Sequence, residues 1–237
     1  MKPWSGRATR RSRSPRATGW SSFAPWPVDR RERLARSRLY VVTDAREERG
    51  DLPRFLETVL SAGADMVQLR QKDAEAGDLL RWGEVFRGAA DRHGALFTVN
   101  DRPDVALAAG ADGVHLGQND LPPAVARRVL GPDGIVGLSC HTTQQHAAAP
   151  PEADYLTAGP VHPTPTKPGR PGTGLGLVRE AATVVERPWF AIGGIDRANV
   201  RAVVAAGARR IVVARAVTEA EDPGDAVRAL LDALPPV

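Results

Sequence analysis

Eight short apolar segments, separated by helical patterns, constrain the fold of this chain more than any other feature. The segments that predict β-strands span residues 39–43, 66–70, 96–99, 113–116, 135–139, 155–158, 189–192 and 211–214. Between them apolar residues recur at helical spacing, for example at Leu52, Phe55, Leu56, Val59 and Leu60. Regular alternation of strand and helix is typical of parallel sheets with helices on their outer face.

A short internal repeat indicates how the helices join the strands. Ala-Gly-Ala-Asp occurs at 62–65 and 109–112, Ala-Gly-Ala-Arg occurs at 206–209, and a weaker copy, Glu-Ala-Asp, occurs at 152–154. Each copy ends a helical pattern and precedes a strand pattern. Eight such units predict a single-domain α/β fold, a (β/α)8 TIM barrel over residues 39–237. A doubly wound open sheet is the alternative, but no Gly-x-Gly-x-x-Gly motif follows the first strand.

Residues 1–38 differ from the rest of the chain in charge. They carry a net charge of +9, whereas residues 39–237 carry −5. They are rich in Arg, Ser and Pro and lack a sustained apolar period, which predicts a disordered basic tail. An inert extension, an arm that contacts polyanions and a targeting segment are the alternatives for its role. The acidic body argues against a nucleic-acid-binding core.

The sequence also bounds the environment of the protein. It has no apolar run of about 18 residues, so we expect no membrane-spanning helix. Its only cysteine is Cys140, which excludes an intramolecular disulfide and favours a reducing compartment. We therefore expect a cytoplasmic protein with no nucleic-acid or membrane partner. Assembly into a homo-oligomer stays open.

Polar residues that follow the predicted strands are the candidates for a functional site, because TIM barrels build their sites at these strand ends. Gln68 and Arg70 lie two residues apart on the second strand and therefore share a face. Asp101 and Asp120 follow the third and fourth strands, and two such carboxylates suit Mg²⁺ that also binds phosphate oxygens. A helix cap for Asp101 and a turn for Asp120 are the simpler alternatives.

The loops after the last three strands predict phosphate binding. The loop at 159–174 is unusually long and places Thr164, Thr166 and Lys167 among prolines and glycines, which favours a lid over a plain flexible loop. Lys167 is one of only three lysines in the chain, beside 29 arginines. Gly194 and residues 214–215 follow the last two strands, where this fold commonly binds phosphate.

Two histidines and the cysteine have simpler interpretations. Cys140 and His141 are adjacent on a predicted strand and point to opposite faces, so they cannot form a catalytic dyad directly. His115 is interpreted as a hydrogen-bonded core histidine, with a base or metal ligand as the alternative.

Together these segments resemble the thiamine phosphate synthase family, and the resemblance covers residues 39–237. The residues that carry it are 39–44, 67–70 with Lys72, 99–102, 113–118 with Asp120, 137–139 with 141–142, 159–160, 163–167 and 191–195. It implies condensation of 4-amino-2-methyl-5-(diphosphooxymethyl)pyrimidine with 4-methyl-5-(2-phosphooxyethyl)thiazole, which forms thiamine phosphate and diphosphate. We refer to these substrates as the pyrimidine diphosphate and the thiazole phosphate.

The resemblance also implies roles for individual residues. Lys167, Arg70 and Ser139 would be catalytic, and Asp101 and Asp120 would hold one Mg²⁺ per subunit. The residues implied to bind the pyrimidine diphosphate are Gln68, Leu69, Arg70, Gln71, Lys72, Asn100, Ser139 and Lys167. The residues implied to bind the thiazole phosphate are Thr164, Pro165, Thr166, Gly194, Ala214 and Arg215.

Four positions depart from the family pattern, which often has Glu at Gln71, Thr or Ala at Cys140, an aromatic residue at His162 and Ser at Arg215. Arg215 either adds a side-chain contact to phosphate or offers only its backbone N–H. Two alternative functions remain at this stage. One is a barrel that tautomerises a thiazole phosphate, which would not need Asp101, Asp120 and Lys167. The other is a barrel that binds a phosphorylated ligand without catalysis.

Overall fold

The fold is a closed barrel of eight parallel strands, in a computed structural model that describes residues 29–164 and 172–237. The strands are β1 Leu39–Thr43, β2 Met66–Leu69, β3 Leu96–Asn100, β4 Gly113–Leu116, β5 Ile135–Cys140, β6 Tyr155–Ala158, β7 Trp189–Ile192 and β8 Ile211–Val213. Each strand pairs with the next, and β8 closes the barrel against β1. The predicted (β/α)8 TIM barrel is confirmed, with every strand end within one residue of its predicted position.

The first helix precedes the first strand, and the other helices of the described residues follow strands and surround the barrel. They are α1 Arg30–Arg36, α2 Leu52–Ser61, α3 Ala76–His93, α4 Pro103–Ala108, α5 Pro123–Leu130, α6 Thr143–Ala147, α7 Gly174–Val184, α8 Val200–Ala205, α9 Arg215–Thr218 and α10 Pro223–Ala233. Within the two described ranges, no helix combines the length and the apolar character needed to cross a membrane.

The barrel has two apolar cores because successive strand residues point to opposite faces. The interior core contains the rings of Tyr40, Tyr155 and Phe190, whose centroids lie 5.6–6.1 Å apart in edge-to-face contacts. The larger core lies between the strands and the helices. Leu69 belongs to this outer core, so its side chain points away from the barrel interior.

The aspartates of the repeated turns stabilise the amino-terminal end of the barrel. Asp65 Oδ2 accepts hydrogen bonds from the backbone amides of residues 38 and 39, at 2.8 and 2.9 Å. Asp112 Oδ2 accepts one from Phe97 N, and Asp154 Oδ2 accepts one from Val136 N. Each aspartate precedes one strand and binds the start of its neighbour. The repeat therefore has a structural role, at the end of the barrel opposite the expected site.

Helix α1 corrects the boundary of the predicted tail. Residues 1–38 were expected to be disordered, but residues 30–36 form a helix that packs Leu34, 1% exposed, against the interior core. Arg30 Nε lies 3.1 Å from Asp112 Oδ1, and Arg31 Nε lies 2.9 Å from Asp154 Oδ1. These arginines bind carboxylates far along the chain, so their charge does not indicate disorder. Residues 1–28 lie outside the described residues.

We expect Leu34→Ala to lower the free energy of unfolding by about 2–5 kcal/mol, because it leaves a cavity where α1 closes the barrel. Leu107→Ala is the matched control, since Leu107 is 55% exposed on α4. Urea denaturation of both variants measures the difference. Equal stabilities would show that α1 is not part of the folded domain.

Candidate active site

A cavity of about 420 Å³ opens at the carboxyl ends of the strands. Every strand contributes to its lining, either with its last residues or with the residues that follow it. The predicted site residues that line it are Gln68, Arg70, Asn100, Thr164, Gly194, Ala214 and Arg215. Residues from distant parts of the chain meet here because strand ends converge in a closed parallel barrel.

The other predicted residues lie elsewhere. The Leu69 side chain packs in the outer core, so only the backbone atoms of this residue are available at the end of β2. Gln71 lines a neighbouring cavity, and its Oε1 accepts a hydrogen bond from Ala45 N at 3.3 Å. Ser139 is 1% exposed and lies beneath the cavity lining. Pro165, Thr166 and Lys167 lie outside the described residues.

Asp101 and Asp120 come together beside this cavity. Asp101 adopts a left-handed backbone conformation, with φ of 63°, directly after β3, and its amide donates to His115 O at 2.9 Å. Asp120 Oδ2 accepts from Gly117 N at 2.6 Å. Burial and, after it, the adjacent Asp120 carboxyl raise the pKa of Asp101 to about 6, against the opposing effect of Lys72 and Arg70. Lys72 Nζ lies 3.8 Å from Asp101 Oδ2.

This geometry tests the simpler interpretation of each aspartate. Arg102, not Asp101, occupies the N-cap position of α4, so the helix-cap alternative for Asp101 is wrong. Asp120 does take part in a turn, because its carboxylate accepts from a backbone amide three residues earlier, and this contact is compatible with metal binding by the same carboxylate. That bond occupies one Asp120 oxygen and also fixes the carboxylate beside Asp101.

The raised pKa of Asp101 predicts that the free energy of unfolding depends on pH when a chelator keeps the protein free of metal ions. A carboxyl with a raised folded-state pKa stabilises the fold at low pH, and this stabilisation is lost as pH rises through about 6. Asp101→Asn removes the ionisation, so relative to wild type it should gain about 1–3 kcal/mol between pH 4 and pH 8. Urea denaturation at both pH values measures this, and a difference independent of pH would contradict the coupling.

Two glycines shape the opposite side of the cavity. Gly193 and Gly194 follow β7 with φ of 105° and 62°. A Cβ at Gly193 would lie 2.5 Å from Pro160 Cα, and one at Gly194 would lie 2.7 Å from His162 Cβ. Only glycine therefore lets the segment after β6 pack against this turn, which places Thr164 and Gly194 in the same cavity lining.

Comparisons with known proteins match this arrangement to one family. A sequence model described as thiamine monophosphate synthase matches residues 39–217, which include every strand and nearly all of the cavity lining. The chain belongs to the thiamine monophosphate synthase family.

Relatives of this family support the assignment over most of the chain. The thiamine-phosphate synthase of Mycobacterium sp. strain KMS is 55% identical over 212 residues, which cover 85% of this chain and 94% of the relative. That of Acidothermus cellulolyticus is 54% identical over 196 residues, covering 81% and 92%. The solved thiamine phosphate pyrophosphorylase of Pyrococcus furiosus is 37% identical with a TM-score of 0.76, covering 86% of this chain and 96% of its own.

A hydrogen-bond network of buried hydroxyl, amide and imidazole groups lies beneath the cavity of this thiamine monophosphate synthase family member. Tyr40 Oη receives a short hydrogen bond from Gln68 Nε2 and lies 3.2 Å from Tyr155 Oη. Tyr155 Oη lies 3.0 Å from His115 Nδ1, and His115 Nε2 lies 2.9 Å from Ser139 Oγ. His115 is therefore hydrogen-bonded, as expected, and it also lines the cavity. This hydrogen-bond network holds Gln68 and His115 in fixed orientations.

Cys140 takes no part in the site of this family member. Its side chain packs in the outer core, whereas His141 lines the cavity, which confirms that the two point to opposite faces. Burial raises the pKa of the Cys140 thiol to about 12, so it stays protonated at neutral pH. A buried neutral thiol is a poor nucleophile.

Proposed function

We propose that this protein is a thiamine-phosphate synthase, a transferase of thiamine biosynthesis that joins the pyrimidine diphosphate to the thiazole phosphate. The thiazole nitrogen attacks the methylene carbon of the pyrimidine, and the bond from that carbon to the diphosphate oxygen breaks. The observation that carries this proposal is a single cavity lined by Arg70 after β2 and by a glycine turn after β7, with the carboxyl pair that follows β3 and β4 beside it. Two phosphorylated substrates therefore have separate binding regions beside one reaction space.

The pyrimidine diphosphate binds on the side formed by β2, β3 and β4. Arg70 and Lys72 offer positive charge to the diphosphate, and Asn100 and Gln68 offer amides near the pyrimidine. The fixed orientation of Gln68 supports this role. An amide that a buried network already holds in place binds its ligand with little further loss of side-chain conformational entropy.

Mg²⁺ fits the pair formed by Asp101 and Asp120. The neighbouring Asp120 carboxyl raises the pKa of Asp101 because two adjacent carboxylates repel each other, and a bound cation would relieve this repulsion. In the part of the chain that the structure describes, no third His, Cys, Asp or Glu joins them. That is typical of Mg²⁺, which takes one or two protein carboxylates and phosphate oxygens. The ion, one per subunit, would neutralise the departing diphosphate.

The thiazole phosphate binds on the opposite side, formed by β7, β8 and the segment after β6. Gly194 allows close backbone approach, and Thr164 offers a hydroxyl within the same lining. Ala214 and Arg215 line the cavity where α9 begins. Pro165, Thr166 and Lys167 follow Thr164 in the sequence, and we assign Thr166 to this phosphate and Lys167 to the departing diphosphate.

The reaction needs no nucleophile or base from this chain. The ring amino group of the pyrimidine stabilises the positive charge that develops on the methylene carbon as the diphosphate leaves. The residues therefore act by holding the two substrates in line and by neutralising the leaving group. The protonated thiol of Cys140, outside the cavity, is consistent with this assignment.

Diphosphate release with each substrate omitted in turn tests this function. A thiamine-phosphate synthase releases diphosphate only when both substrates and Mg²⁺ are present. A thiazole phosphate tautomerase or a non-catalytic binding barrel releases none. Absence of diphosphate from the complete mixture would therefore contradict the proposal.

Binding partners and a cellular location go with this proposed function. Its partners are the two small-molecule substrates. We place it in the cytoplasm, because a chain whose one cysteine is a buried free thiol suits a reducing compartment.

A further inference from the structure

Arg46, in the loop between β1 and α2, has an unusual backbone conformation and an unusually buried side chain. It has a left-handed backbone conformation, with φ of 52°, although it is not glycine, and it is only 6% exposed. Its Nε and Nη2 donate to Asp51 Oδ1 and Oδ2 at 2.6 and 2.8 Å. Its guanidinium carbon lies 3.9 Å from the centroid of the Phe55 ring. A strained backbone that holds a buried, doubly paired guanidinium indicates a specific task for that group.

The third contact of Arg46 reaches another element. Its Nη1 donates to the carbonyl oxygen of Thr218 at 3.3 Å, and Arg49 Nη1 donates to the same oxygen at 2.8 Å. Thr218 is the last residue of α9. The final carbonyls of a helix lack partners within the helix and carry partial negative charge, so two guanidinium groups suit this position.

The other end of α9 lies at the active site. Ala214 and Arg215 line the main cavity, four and three residues before Thr218. Arg46, Arg49 and Thr218 also line a second cavity of about 400 Å³, together with Arg70 and Gln71. Buried Val217 anchors the underside of α9. On the loop side, the hydrogen bonds from Arg46 and Arg49 to Thr218 O tie α9 to the loop at 44–49.

We propose that Arg46 is a positioning residue for the thiazole phosphate, acting through α9. It fixes the end of the helix remote from the cavity and thereby sets the place of Ala214 and Arg215 at the other end. Its effect falls mainly on the thiazole phosphate, because the Arg46 side chain donates to Thr218 of α9, whereas the same loop meets the pyrimidine-diphosphate side through the backbone amide of Ala45, which donates to Gln71 Oε1. The inference rests on the proposed function and adds to it a residue that touches neither substrate.

Kinetics of four variants with each substrate varied in turn test this proposal. Arg46→Met should raise the KM for the thiazole phosphate about tenfold, because it removes a charge-assisted bond to Thr218, while kcat and the other KM stay within about twofold. Arg46→Lys keeps the charge and should raise that KM about threefold, and Arg49→Met should do the same. Arg54→Met, at an exposed position on α2, is the matched control and should change nothing.

The selectivity between the two KM values separates positioning from general destabilisation. Equal increases in both KM values, or a lower melting temperature with an unchanged thiazole phosphate KM, would overturn the proposal. Arg49 is exposed, so Arg49→Met decides the question if Arg46→Met does not fold, and an unchanged thiazole phosphate KM would then count against it. Calorimetric binding of thiazole phosphate to wild type and Arg46→Lys gives a readout independent of turnover. If the wild type forms no thiamine phosphate, the proposed function fails whatever this binding difference shows.

Discussion

Asp101→Asn is expected to lower kcat/KM by about 10²–10³-fold at limiting Mg²⁺, which corresponds to about 3–4 kcal/mol of transition-state stabilisation. The amide keeps the size of the side chain but removes the charge that balances the cation. Asp120→Asn should have a similar effect, because the two carboxyls lie together beside the cavity. Initial rates over a range of Mg²⁺ concentrations measure both variants, and excess Mg²⁺ should recover part of the activity.

Asp104→Asn is the matched control for these two variants. Asp104 lies three residues after Asp101, but its exposed carboxylate pairs with Arg102 on the surface. Its rate should stay within about twofold of wild type, since exposed ion pairs contribute little. Wild-type rates at low Mg²⁺ in both Asp101→Asn and Asp120→Asn would show that the metal site is assigned wrongly.

Lys167→Ala is expected to lower kcat by about 10²–10³-fold. The charge on the bridging oxygen grows as the bond from carbon to oxygen breaks, so an ammonium group there binds the transition state better than the substrate. The prediction rests on the sequence of the loop and on Thr164, which lines the cavity three residues earlier. Steady-state kinetics with saturating substrates measure kcat directly.

Two further variants separate the role of Lys167 from that of its neighbours. Thr164→Ala should mainly raise the KM for the thiazole phosphate, because that phosphate keeps its charge during the reaction. Lys167→Arg should recover only part of kcat, since a planar guanidinium replaces a compact ammonium poorly. An unchanged kcat in Lys167→Ala would exclude the leaving-group role.

The barrel was predictable because its signals are local. Each strand is a short apolar run between turns, and such runs fix both the number of strands and their ends to within one residue. Helix α1 was not predictable in this way. It contributes one buried side chain, Leu34, and its arginines bind Asp112 and Asp154, which lie 82 and 123 residues away in sequence.

The candidate site was predictable where strand ends determine it. Gln68, Arg70 and Asn100 line the cavity because polar residues at the ends of barrel strands face a common space. Leu69 stands within the same motif but points outward, which alternation along the strand predicts.

The residues that sequence reasoning missed depend on long-range contacts. Tyr40 and Tyr155 resemble ordinary core aromatics in their strands, and only the closed barrel brings their hydroxyls together. Arg46 resembles a solvated loop arginine until its contact with Thr218, 172 residues away in sequence, is known. Their spacing from these partners follows no local period, so no pattern in the sequence indicates them.

The central claim is that this barrel joins two substrates in one reaction. The most direct test is incubation of the full chain with Mg²⁺, the pyrimidine diphosphate and thiazole phosphate labelled with ¹⁵N, followed by mass spectrometry of the product and assay of diphosphate. We predict thiamine phosphate that carries the label, with one diphosphate released for each molecule formed. Diphosphate released without the thiazole phosphate, or labelled thiazole recovered unjoined, would contradict it.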